Sequence, residues 1–213
     1  MHLVIFDIDG TLADSCAFDD ALYAEAVHDV LNVQISCSWG RYRNVTDSGI
    51  LNELLDLRCY SGCRAGIHTQ VKHRFVSKVR RYLEQHTLRE IPGAKDLLAE
   101  LQRQKAASIA IATGGWRETA LLKLQAVGID TNSIPLATAS DSSDRCEILK
   151  IAVNRASNGR PLDRTTYFGD GEWDKKAASE LGYEFIGVGS KVSHHRVVPD
   201  LTDLAAILRQ LGV

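Results

Sequence analysis

Apolar residues along the chain follow two kinds of pattern. Short, largely apolar runs at Leu3 to Phe6, Ser108 to Ala112, Ile134 to Ala137, Thr165 to Phe168 and Glu184 to Val188 have the length and composition of buried strands. Between them the spacing becomes helical. Leu97, Leu98 and Leu101 share one face of the segment from Pro92 to Lys105, and a pattern through Trp173 to Leu181 stops at Gly182, a residue suited to the left-handed turn that ends a helix. A final helix is predicted near Leu201 to Leu211. Strands alternating with helices predict an α/β fold with a doubly wound, Rossmann-like parallel sheet, whose ligands bind beyond the carboxyl ends of the strands.

Residues 14 to 88 break this rhythm. They show no strand pattern and instead carry three helical stripes: Phe18, Leu22, Ala26, Val30; Ile50, Leu51, Leu54, Leu55; and Val71, Phe75, Val79, Tyr82. The segment enters just after the first strand and leaves before Pro92, so it is predicted to stand over the strand ends as an inserted α-helical cap domain. The core domain is then residues 1–13 and 89–213, and the cap is residues 14–88.

Composition narrows the classes of function. The 213 residues, 45% hydrophobic and 24% charged, suit one folded core with an insertion. A net charge of -2 leaves no basic excess for a nucleic-acid backbone. The densest positive stretch, Arg74, Lys78, Arg80 and Arg81, falls on an amphipathic helix and reads as a solvated face. The opening apolar run is far shorter than the roughly 20 residues of a membrane span, so no membrane partner and a cytoplasmic location are expected. Five cysteines, an odd number, suit a reducing compartment. Cys59 and Cys63 lack the second ligand pair of a structural zinc site. Nothing along the chain separates a monomer from a homodimer, and Trp39, Trp116 and Trp173 fit either a core or an interface.

The chemistry lies at the strand ends. After the first strand come Asp7, Ile8, Asp9, Gly10 and Thr11, with two carboxylates on one side of an extended chain. After the fourth come Gly169, Asp170, Gly171, Glu172, Trp173 and Asp174. Acids converging on one edge need a cation or a proton, and an oxygen-rich set suits Mg2+ together with a substrate phosphate. After the second strand, Thr113, Gly114 and Gly115 offer a hydroxyl and free backbone N–H groups before a helix N-terminus, a cradle for phosphate.

In this order and at these places the residues resemble the haloacid dehalogenase superfamily, in its phosphoglycolate phosphatase-like form with a helical cap. The resemblance implies that Asp7 attacks phosphorus to form an aspartyl-phosphate, and that Asp9 acts as acid and then base. It implies magnesium on Asp7, the backbone carbonyl of Asp9, Asp170 and, directly or through water, Asp174. Thr11, Thr113 and Gly114 would bind the phosphoryl group. An acid at Asp9 favours phosphate esters over carbon–halogen bonds. The superfamily's third motif usually supplies a lysine, and none follows the strand ending near Ala139. Arg145 is the candidate in its place, set in the first helical turn by a capping box of Asp144 and Glu147.

In the cap, Tyr42, Arg43, Thr46 and Asp47 precede a helix that Thr46 or Asp47 would cap. Arg43 and Asp47 are candidates for substrate contact. His194 and His195 read as loop residues. The chain is therefore expected to be a magnesium-dependent phosphatase acting on a small phosphorylated metabolite, such as a sugar phosphate or a phosphoglycolate-like acid. The alternatives are a phosphomutase of the β-phosphoglucomutase type and a non-catalytic phosphate-binding regulator.

Overall fold

The computed structural model describes residues 1–104 and 107–213. Six strands, β1 (His2–Phe6), β2 (Ala107–Ala112), β3 (Leu136–Ala137), β4 (Arg164–Gly169), β5 (Glu184–Val188) and β6 (Val197–Val198), form one sheet in the order β3-β2-β1-β4-β5-β6. Every neighbouring pair is parallel. β1 lies between β2 and β4, with Phe6 level with both Ile111 and Phe168. The strand order reverses there, which opens a crevice beyond its carboxyl end.

Alternation along β1 assigns its side chains to two layers. Val4 and Phe6 pack with Leu97 and Leu101 of α4 (Ala94–Arg103), Leu124 of α5 (Arg117–Ala126) and Ile207 of α8 (Leu204–Leu211). Leu3 and Ile5 face Ile148 and Leu149 of α6 (Arg145–Ser157) and Ala177 and Ala178 of α7 (Glu172–Glu180). All four β1 side chains are fully buried, each worth about 1.5–3 kcal/mol of hydrophobic stabilisation. This rigid centre carries the loop that begins at Asp7.

Between β1 and α4 lie α1 (Cys16–Leu31), α2 (Asp47–Leu57) and α3 (Arg64–Gln85), and no strand falls within residues 14–88. These helices have a core of their own: Tyr23, Val27, Leu51, Leu55, Val71, Phe75 and Val79 pack together and against Trp116 and Ala139, which follow β2 and β3. Phe18 stacks on Tyr82 at 4.3 Å between ring centroids, and Tyr23 meets Phe75 edge-on at 5.4 Å. The stripes of α1 and α3 therefore face each other. Arg74, Arg80 and Arg81 point to solvent, while Lys78 pairs with Glu25 at 2.9 Å and Asp29 at 3.2 Å.

Most boundaries agree with the expected ones to within a residue, and the larger differences have physical causes. The third strand is only Leu136–Ala137, because Ile134 is drawn into a turn by its bond to the Thr131 carbonyl and Pro135 has no N–H for the ladder. The last helix starts at Leu204 rather than Leu201, since Asp203 caps it by accepting from the Ala206 N–H at 3.0 Å. β6, two residues long, is too short to leave a periodic signal. The helix expected over Pro92 to Lys105 runs from Ala94 to Arg103, and Lys105 lies outside the described residues. No described helix is long and apolar enough to cross a membrane.

Candidate active site

Asp7 is the first residue past β1, and its N–H donates to the Phe168 carbonyl at 2.9 Å, continuing the ladder toward β4. That bond sets the β1 and β4 strand ends side by side. One ligand oxygen each from Asp7, Asp170 and Asp174 lies within 4.8 Å of the others, and all three residues are buried. Gly10 lets the loops close in: it adopts φ +75°, and a Cβ there would run into the Asp170 carboxylate.

A cavity of about 90 Å³ stands over this edge. From the core it is lined by Asp7, Asp9, Thr113, Gly114, Arg145 and Asp170, and from the helical segment by Asp19, Asp20, Tyr23, Trp39 and Asp47. Asp7 Oδ1 is buried and has no hydrogen-bond partner. Burial pushes the Asp7 carboxyl well above its ordinary value; the Asp174, Asp9 and Asp170 charges add to the push against the pull of Arg145. Asp170 is raised by burial and by Asp174, with Lys191 at 3.0 Å opposing. Such a set of hard oxygen donors, one of them orphaned, fits a divalent cation. Asp174 has less to offer, since its Oδ1 accepts from Arg145 at 2.5 Å and from the Tyr167 hydroxyl at 2.7 Å, and its Oδ2 accepts from the Gly171 N–H at 3.1 Å.

Arg145 opens α6, behind Asp144, whose side chain accepts from the Glu147 N–H. Its guanidinium reaches Asp174, the Tyr167 hydroxyl at 3.1 Å and the Val45 carbonyl at 2.9 Å, and stands 3.7 Å from Asp7. Burial opposes its charge, but Asp174, Tyr167 and Asp7 hold it firmly cationic. Gly114 admits this fork: a Cβ there would collide with Arg145. The Thr113 hydroxyl accepts from the Gly115 N–H at 3.2 Å.

The remaining expected residues take different places. The Thr11 hydroxyl is wholly buried without a partner, and Thr11 does not line the cavity. Thr46 caps α2 by accepting from the Gly49 N–H at 2.9 Å. Asp47 lines the cavity and accepts from the Trp116 N–H at 2.8 Å. Arg43 is exposed and lines an adjoining cavity of about 650 Å³, which shares Val45, Arg145, Trp173 and Lys191 with the smaller one.

Sequence reasoning missed Lys123. Its ammonium, fully buried, donates to both Asp9 oxygens at 2.6 and 2.7 Å and to Asp19 Oδ1 at 2.9 Å. Burial works against this charge, yet Asp19 and Asp9 hold it well above the ordinary lysine value. The Ser15 hydroxyl also donates to Asp9. A signal existed: Lys123 sits three residues after Ala120 and four before Val127, on the apolar stripe of α5, where a charge needs a buried partner. Lys191 left no such signal, because its loop carries no periodicity.

A family model of haloacid dehalogenase-like hydrolases matches residues 4–188. Among solved structures, a hydrolase from Pseudomonas syringae is 26% identical with a TM-score of 0.79, each chain being covered over 99% of its length. CbbY from Rhodobacter sphaeroides, solved in complex with phosphate, is 18% identical over 95% of each chain with a TM-score of 0.67. A β-phosphoglucomutase from Clostridium difficile is 16% identical with a TM-score of 0.72, over 99% of this chain and 96% of that one. No curated protein matches the sequence. With most of its length matched by that model, the chain belongs to the haloacid dehalogenase-like hydrolase family.

Proposed function

We propose that the protein is a magnesium-dependent phosphatase that hydrolyses a small phosphomonoester through an aspartyl-phosphate on Asp7. The observation that carries this reading is the orphaned Asp7 Oδ1, buried in a cavity that also holds Asp9, Thr113, Gly114 and Arg145. A desolvated carboxylate beside a phosphate cradle is a competent nucleophile, one of its oxygens serving the cation while the other attacks. Asp7 would attack phosphorus, forming a bond from its carboxylate oxygen as the ester P–O bond breaks, while Asp9 gives its proton to the departing alcohol oxygen. Asp9 would then take a proton from the water that attacks phosphorus and frees Asp7.

The Thr113 hydroxyl, the backbone at Gly114 and the Arg145 guanidinium would hold the phosphoryl oxygens where charge builds up. Magnesium would be held by Asp7, the Asp9 carbonyl and Asp170, with Asp174, whose oxygens already accept from Arg145, Tyr167 and Gly171, as a further or water-mediated ligand. When bound, the ion supplies the charge that offsets repulsion between these acids and the phosphate dianion. Residues 14–88 act as the cap domain over the core of residues 1–13 and 89–213, and Asp47 and Arg43 lie on its substrate side.

Phosphate release from small esters, measured with magnesium and with EDTA and paired with product analysis, tests the reading. Magnesium-dependent free phosphate supports it; an isomerised sugar phosphate without phosphate release would replace it with a mutase.

A further inference from the structure

Lys123 occupies a place that the proposed chemistry does not by itself require. It comes from the middle of α5 rather than from a strand end, and it is fully buried. A lysine side chain carries much conformational freedom and a strongly hydrated charge, so burying it completely is costly unless its donors are matched. Here all three matched acceptors are carboxylate oxygens: two belong to Asp9, and the third to Asp19 of α1.

The geometry points to Lys123 as the positioning residue for Asp9, an inference that rests on the proposed phosphatase reading. Two short bonds to the two oxygens of one carboxylate fix both its position and its rotation, and the Ser15 hydroxyl adds a third restraint. As Asp9 hands its proton to the leaving oxygen, the negative charge that develops on it meets an ammonium already in place, with no solvent reorganisation. Lys123 keeps its own protons throughout and touches neither phosphorus nor the ester oxygen. Through Asp19 the same ammonium ties the acid to the helical segment, since α1 is its first helix. Asp9 is thus held in register with the element that encloses the substrate.

An acid matters only where the leaving group needs a proton. An alkoxide does; the acetate released from acetyl phosphate does not. We therefore compare wild type with Lys123→Met on two probes: the fastest alkyl ester among glycerol, ethanolamine and glycolate phosphates, and acetyl phosphate. The readout is kcat/KM, which covers the steps up to departure of the first product. The expected result is a fall of roughly 10²-fold on the alkyl ester, at the low end of what a positioned acid contributes, with acetyl phosphate changed by less than about threefold. Lys123→Arg, which restores charge and donors, should recover most of the alkyl rate. If Lys123→Met does not fold, Lys123→Gln carries the same comparison.

Equal loss on both probes would make Lys123 a packing residue and overturn the inference, and no loss on either would do the same. Both results leave the phosphatase reading standing. No phosphate release by the wild type from any probe would overturn that reading, and the role of Lys123 with it.

Discussion

At the scale of single residues, the site is a problem of charge, and its solution was partly legible in the sequence. Asp7, Asp9, Asp170 and Asp174 stood out because acids gathered at strand ends have no structural use for one another. Arg145 stood out because Asp144 fixed where its helix starts. Lys123 was overlooked because it lies in the middle of a helix, and its partners belong to segments more than 100 residues away in the chain. Arg145 shows how tightly the charges are balanced: its side chain and that of Asp174 are almost entirely buried. Arg145→Met should lower unfolding free energy by about 3–5 kcal/mol, as expected when one partner of a buried ion pair is removed. Urea unfolding followed by circular dichroism measures it, and an unchanged midpoint would mean that Asp174 finds another partner.

At the scale of elements, the sheet was legible wherever periodicity lasts. β1, β2, β4 and β5 were found because buried parallel strands are nearly continuous apolar runs. β6 was invisible because two residues carry no period, and β3 was overestimated because Pro135 truncates it. The helical segment was legible as three stripes, but its attachment to the rest of the molecule was not. That attachment runs through Trp116, which packs against Phe75 and Tyr23 and whose indole N–H donates to the Ser48 hydroxyl at 2.7 Å. Phe75, fully buried among these rings, is the keystone. Phe75→Ala should cost about 3–5 kcal/mol, the usual range for emptying an aromatic site in a core. It should also speed tryptic cleavage at the exposed Arg41 and Arg43. Destabilisation without faster cleavage there would mean that the loop before α2 is held independently of the helical core.

At the scale of the whole molecule, the doubly wound order brings residues distant in sequence to one edge, and that edge stores unfavourable charge. Burial raises the Asp7, Asp47 and Asp170 carboxyls, and it pushes Asp19 up to about 7 against the pull of Lys123, with the Asp9 charge adding to the push. Groups raised in the folded state bind protons that the unfolded chain releases. Their contribution is complete below the ordinary carboxylate range and is lost as pH rises through the folded-state values. In EDTA the melting temperature should therefore fall as pH rises from about 5 to about 8, and Asp19→Asn should flatten that slope. Magnesium should raise the melting temperature most at the alkaline end, where the proposed ligands are ionised. A metal-free melting temperature that rises with pH over this range would contradict the charge assignment.

The proposed nucleophile is tested most directly by trapping it. Protein mixed with magnesium and a turned-over phosphate ester is quenched rapidly, reduced with borohydride to convert an acyl phosphate into the alcohol, and mapped by peptide mass spectrometry. The account predicts homoserine at position 7 in the wild type and none in Asp7→Asn, which should also lose phosphate release. Turnover with no modification at Asp7, or undiminished turnover by Asp7→Asn, would contradict it.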